Sequence, residues 1–136
     1  QGGKLLTIEL DPKHARFARS WIARSDVADR VEVLEGAAAA VLAGLAGQRF
    51  DAMFIDADKT GYKTYLGHAR TLVRKGGLVL VDNAFAFGQL LDPSVRDTEV
   101  VAMRAFNDHM AASAGLHGII LRVGEGLWVA VQESGS

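Results

Sequence analysis

Two short apolar runs, each ending in a cluster of oxygen-bearing side chains, constrain this chain more than any other feature. Phe50-Asp51-Ala52-Met53-Phe54-Ile55 has the length and make-up of a strand buried on both faces, and it stops at Asp56-Ala57-Asp58-Lys59. Leu78-Val79-Leu80-Val81 repeats the design and stops at Asp82-Asn83. Between them a helical pattern runs from Tyr62 to Arg74 and closes at Lys75-Gly76-Gly77. A strand, a helix and a strand in that order form a crossover, so the two strands are expected side by side and parallel. Ligands of open parallel sheets bind beyond the carboxyl ends of the strands. Asp56, Asp82 and Asn83 can then be aimed at one point. Three hard oxygen donors suit Mg²⁺, Mn²⁺ or Ca²⁺ and suit soft metals poorly. A single acid after a strand is an ordinary turn or capping residue. Two strands ending alike favour a site.

The remaining segments extend the alternation. Lys4 to Leu10 reads as a strand, and Asp11-Pro12 opens a helix with Asp11 as N-cap and Pro12 at the first helical position. That helix fades near Ser25-Asp26, and Phe17 and Trp21 are expected in its core contact. Val31 to Glu35 alternates as a strand, followed at Gly36 by an alanine-rich helix from Ala37 to Ala46. After Asn83, a loop from Ala84 to Leu91 carries Phe85 and Phe87, two aromatics that could wall an apolar substrate. Asp92-Pro93 is expected to begin a long helix reaching Ser113. Leu116 to Val123 and Leu127 to Gln132 form a hairpin across Gly124-Glu125-Gly126, which adds an antiparallel strand to a mostly parallel sheet.

Glu9 ends a strand just before a helix, where nucleotide-binding α/β folds place an acid on ribose hydroxyls, although a capping role fits as well. The small residues Gly36, Ala37 and Ala38 would let a flat ring approach the backbone, or simply pack against the sheet. The four histidines show no ligand spacing and read as surface or core residues.

Composition narrows the function classes. The chain has 136 residues, 49% hydrophobic, which describes one globular domain over 1–136. A net charge of −1 offers no footprint for nucleic acid or an anionic membrane. No apolar run approaches the ~20 residues that span a bilayer, and no signal peptide opens the sequence. The absence of cysteine excludes disulfides, thiolate metal sites and cysteine nucleophiles, and a cytoplasmic enzyme is the default.

Leu6-Thr7-Ile8-Glu9-Leu10-Asp11-Pro12, Phe50-Asp51 through Lys59, Gly76-Gly77 through Asn83, and Val123-Gly124-Glu125-Gly126-Leu127 together resemble the cation-dependent O-methyltransferases, the group of caffeoyl-CoA and catechol O-methyltransferases and their bacterial relatives. The resemblance spans essentially the whole chain. It implies a Rossmann-like class I fold that uses S-adenosylmethionine (SAM), with a seven-stranded sheet whose last strand is antiparallel. It implies Asp56, Asp82 and Asn83 as divalent-metal ligands, Mg²⁺ first, and Glu9 as the acid on the SAM ribose. Gly36, Ala37 and Ala38 fall where backbone lines the adenine, Asp56 and Asp58 near the cofactor, and Lys59 at the usual general base. Phe87 stands where plant relatives carry a polar substrate contact, which points to a small catechol-like phenol and away from a coenzyme A ester. A homodimer is expected.

The resemblance also has a gap. The family's glycine-rich SAM loop, its first strand and its N-terminal helices have no counterpart here, so an N-terminally truncated domain is expected. The missing strand belongs between those ending at Glu9 and Asp56, and its loss would leave unpaired edges unless a neighbouring copy supplied it. The competing readings are a nicotinamide-dependent oxidoreductase using Glu9, a non-catalytic metal-binding α/β module, and an inactive fragment. The oxidoreductase gives no reason for the set Asp56, Asp82 and Asn83, the module would need a lysine where Asn83 stands, and the inactive fragment stays open.

Overall fold

Residues 2–133 are described by a computed structural model, and the chain divides into two compact units, Gln1–Leu45 and Ala46–Ser136. In the first, β1 (Leu5–Glu9) pairs in parallel with β2 (Val31–Glu35), from Leu5 opposite Val31 to Glu9 opposite Glu35. Between them runs α1 (Pro12–Ile22), and α2 (Ala38–Gly44) follows β2. Asp11 caps α1 as expected: its side chain accepts from the Lys13 amide at 2.7 Å, and Pro12 fills the first turn. Arg19 ties the helix to the sheet, donating to Glu35 Oε2 at 3.0 Å and to the Val33 carbonyl at 2.9 Å.

Phe17 and Trp21 are not core residues. They are 65% and 57% exposed, and their rings meet edge to face at 6.1 Å with Arg24 lying 4.3 Å from the Trp21 ring centre. The reason is helical phase. Ala15 is the fully buried contact of α1, and positions two and six residues further on lie on the opposite side of a 3.6-residue helix.

The second unit contains β3 (Phe50–Ile55), a 3₁₀ turn (Lys59–Gly61), α3 (Tyr62–Leu72), β4 (Val73–Val81), α4 (Thr98–Ala111), β5 (Leu116–Leu121) and β6 (Leu127–Gln132). The sheet order is β3-β4-β6-β5. β3 and β4 are parallel, with Ile55 opposite Val81, and β6 is antiparallel to both of its neighbours. Six strands therefore form in two sheets, and not one seven-stranded sheet. β1 and β3 each have a single strand neighbour among the described residues.

Three expectations change here. Helix α3 ends at Leu72, because Val73 turns extended and already pairs with Phe50; the Lys75-Gly76-Gly77 tract is a register shift inside β4 instead of a helix stop. Helix α4 starts at Thr98, not at Pro93. Asp97 wins the cap by accepting from the Glu99 and Val100 amides, while Arg104 holds the preceding turns through the carbonyls of Gln89, Leu90, Asp92 and Val95. Finally, β3 and β4 are not buried on both faces. Ile55, Val79 and Val81 are buried on the side where α3 packs, but Phe54 is 59% and Leu78 38% exposed on the other. Among the described residues no helix is long and apolar enough to cross a membrane.

Candidate active site

The parallel register brings the two acidic strand ends together. The Asp82 amide donates to the Ile55 carbonyl at 3.1 Å, which continues the β3–β4 ladder one step past Val81. Asp56 and Asp82 thus leave adjacent strands at the same level. Asn83 follows at φ 63°, a left-handed conformation that asparagine tolerates better than most residues. Only 8% of the residue is exposed, yet no described residue hydrogen-bonds its carboxamide or the half-buried Asp82 carboxylate. Asp56 is 51% exposed, and among the described residues its side chain meets Lys59 Nζ at 3.4 Å. Two carboxylates and one carboxamide oxygen, with Lys59 as the described donor among them, are hard oxygens of the kind that suit a divalent cation. Among the described residues no three His, Cys, Asp or Glu side chains form a cluster that could hold a metal ion.

Lys59 is buried beside this group. Its ammonium donates to Tyr62 Oη at 2.6 Å and to Asp56, and it lies 4.8 Å from the Tyr62 ring centre. Burial pulls the lysine pKa down, but the hydrogen bond to Tyr62 and the charge of Asp56 outweigh it, and the net shift is upward. Tyr62, fully buried and edge-to-face with Phe106 at 5.4 Å, is pushed up by burial against the pull of Lys59. Both upward shifts favour Lys59 as an ammonium and Tyr62 as a neutral phenol at neutral pH.

Asp58 points into a different set of contacts. One oxygen accepts from Tyr65 Oη at 2.5 Å and the other from Thr60 Oγ1 at 3.1 Å. Burial raises its pKa, but these bonds and the Gly61 amide turn the net shift downward. Tyr65 is pushed up to about 12, first by its bond to Asp58 and then by burial. Gly61 makes the arrangement possible, since a Cβ there would stand 2.5 Å from the tyrosine ring and hydroxyl.

Phe85 and Phe87 part company. Phe85 is half-buried, its ring lying where a Cβ on Gly126 would come within 2.8 Å, so it packs on the β5–β6 hairpin. Phe87 is 44% exposed. Ala86 and Phe87 both hold positive φ, 49° and 56°, a strain of about 1–3 kcal/mol for each such residue that surrounding contacts must offset. A hollow of about 480 Å³ lies elsewhere, between the end of α4 and the start of β5. The register puts Leu116 opposite Gln132, at the amino end of β4, far from Asp82.

In the first unit, Glu9 is half-buried at the end of β1. Its Oε1 accepts from the Asp11 amide at 2.9 Å and faces His14 at 4.0 Å, while its second oxygen meets no described donor. Gly36 continues the strand ladder by donating to the Glu9 carbonyl at 3.0 Å. Ala37 is the N-cap of α2 and offers no side-chain cap, and Ala38 begins the helix half-buried. Sequence reasoning missed Tyr62, Tyr65 and Asn107. The i, i+3 spacing of Lys59 and Tyr62 was a usable signal; nothing local marked the others.

The family model for O-methyltransferases matches residues 1–133. The chain belongs to the O-methyltransferase family. It is 41% identical over 127 residues to a catechol O-methyltransferase of Mycobacterium tuberculosis, covering 93% of this chain and 57% of that protein. An O-methyltransferase from Bacillus cereus, solved in complex with SAH, superposes with a TM-score of 0.89 at 35% identity, over 98% of this chain and 64% of the other. The Streptomyces achromogenes O-methyltransferase TomG, involved in tomaymycin synthesis and solved with SAM, gives 0.87 at 31% identity, over 97% and 63%. The chain thus spans less than two thirds of the length of these relatives.

Proposed function

We infer that residues 1–136 act as one SAM-dependent, divalent-metal-dependent O-methyltransferase domain whose substrate is a small aromatic with vicinal hydroxyls. The observation that carries this reading is the in-register end of β3 and β4, where the Asp82 and Asn83 side chains meet no hydrogen-bond donor among the described residues and Asp56 meets Lys59. The SAM- and SAH-bound relatives support the cofactor, and the catechol O-methyltransferase supports the substrate class.

Methyl transfer makes a C–O bond as the S–CH₃ bond breaks. The sulfonium becomes a neutral thioether, and the phenolic proton must leave. A phenol with a pKa near ~10 holds that proton at neutral pH. A divalent cation held by Asp56, Asp82 and Asn83, Mg²⁺ by preference with Mn²⁺ or Ca²⁺ as alternatives, would stabilise the phenolate and orient it. Lys59, which contacts Asp56, would take up that proton in its neutral form, and a cation bound at Asp56 would favour that form against the pull of the Tyr62 hydrogen bond. As an ammonium it would instead be a fixed positive charge beside Asp56. Glu9, with one carboxylate oxygen still open, suits a ribose hydroxyl, and the backbone at Gly36, Ala37 and Ala38 suits an adenine edge. Asp58, with both oxygens already engaged, would meet the cofactor's amino group only alongside Tyr65 and Thr60. Phe87 presents an open apolar ring, and Phe85 backs it from the hairpin. A homodimer and a cytoplasmic setting belong to the same reading.

Calorimetric titration of SAM, with and without Mg²⁺, tests the proposal. Saturable SAM binding together with saturable Mg²⁺ binding is expected. Binding of NADH in place of SAM, or of neither, would refute it.

A further inference from the structure

The strained loop after β4 needs something to hold it, and the hold comes from a helix that contributes nothing to the site directly. Asn107 of α4 donates through Nδ2 to the Ala84 carbonyl at 2.8 Å, and its Oδ1 accepts from the Trp128 indole at 2.7 Å. An indole nitrogen can only donate, so it fixes which way the asparagine amide points and leaves Nδ2 facing Ala84. Trp128 stands on β6 directly opposite Val81, the residue before Asp82. A closed path therefore runs from β4 across to Trp128, through Asn107 and back to Ala84, the residue after Asn83. Two backbone bonds hold the same stretch against the hairpin, Ala84 to Gly126 and Phe85 to Glu125, both at 2.8 Å.

We propose that Asn107 is a positioning residue for Asn83, setting the direction of the third metal ligand by fixing the peptide that follows it. This rests on the reading of Asn83 as a ligand. Ala84 is fully buried and Asn107 half-buried, so water does not readily substitute for the amide. Asn83, Ala86 and Phe87 all have positive φ, and a loop with three such residues relaxes when its hold is lost. The Asn107–Ala84 bond is the side-chain part of that hold.

The test uses Asn107→Asp, which keeps the shape and the Trp128 bond but turns an acceptor toward the Ala84 carbonyl, and Trp128→Phe, which frees the asparagine amide to rotate. Two readouts are compared. Amide hydrogen exchange needs no metal: exchange at Phe85 and Ala86 should accelerate at least tenfold in Asn107→Asp while Val79 and Val81 stay as protected as in wild type. Calorimetry with Mg²⁺ should show at least a tenfold weaker affinity in Asn107→Asp and a smaller loss in Trp128→Phe, with SAM affinity unchanged. Unaltered loop exchange in Asn107→Asp overturns the inference, whatever the metal does. So does equal loss of protection along β4, which would make Asn107 a general fold anchor. A wild-type chain that takes up no Mg²⁺ while the variant loses protection in the loop alone would refute the ligand reading of Asn83, and with it the positioning role, but would leave the Asn107 contact established.

Discussion

Replacing Tyr65 by phenylalanine removes one hydroxyl and nothing else, and the structure says how much that hydroxyl stabilises the turn that presents Lys59. The bond to Asp58 is the chief reason the phenol is pushed up to about 12 from an ordinary 10. A rise of that size corresponds to at most about 2.7 kcal/mol. Asp58 is exposed, so solvent screening reduces the figure to about 1 kcal/mol at neutral pH. The sign follows at both ends of the pH scale. Asp58 has a lowered pKa when folded, so its share of the stability is present above the unfolded carboxyl value and is lost as pH falls through the folded one. Tyr65 has a raised pKa, so its share is present below pH ~10 and is lost as pH climbs toward ~12. Urea denaturation of wild type and Tyr65→Phe across this range should give a stability difference of about 1 kcal/mol on a plateau from pH ~5 to ~9 that closes on either side. A difference that is absent at pH 7, or that persists unchanged at pH 2, would refute the reasoning.

Three further outcomes follow from the same geometry. Gly61→Ala should destabilise by about 1–3 kcal/mol, because its Cβ overlaps the Tyr65 ring, and should cost much less in a Tyr65→Ala background; additive effects in thermal melts would contradict this. Glu9→Ala should weaken SAM binding at least tenfold and leave Mg²⁺ affinity unchanged, since a hydrogen bond to a charged acceptor is typically worth about 1.5–3 kcal/mol; an equal loss in both titrations would make Glu9 a fold residue. Phe87→Ala should raise the KM for a small catechol with little change in melting temperature, because the residue is 44% exposed; unchanged kinetics would remove it from the substrate wall.

What could be read from the sequence was what depends on local pattern. The strands ending at Glu9, Glu35 and Ile55, the Asp11-Pro12 helix start and the 124–126 hairpin all stand where periodicity and turn chemistry put them. So do the adjacent ends of β3 and β4 at Asp56 and Asp82, which follow Ile55 and Val81 where those residues stand opposite one another. Where a local signal misled, tertiary contacts decided. Asp92-Pro93 reads as a helix start, but Arg104 holds that stretch as turns and the helix begins only after Asp97. Phe17 and Trp21 read as core because they are large and apolar, yet Ala15 sets the buried face of α1. The contacts around Asp58 and Asn107 reach 7 and 23 residues along the chain, beyond any local pattern.

The central claim is that Asp56, Asp82 and Asn83 form a metal site on which methyl transfer depends. Transfer of labelled methyl from SAM to catechol, measured with Mg²⁺ on wild type and on Asp82→Ala, tests it most directly. The account predicts transfer by wild type that EDTA abolishes and Mg²⁺ restores, and none above background by Asp82→Ala at any Mg²⁺ concentration. Methylation that survives both EDTA and the loss of Asp82 would contradict it.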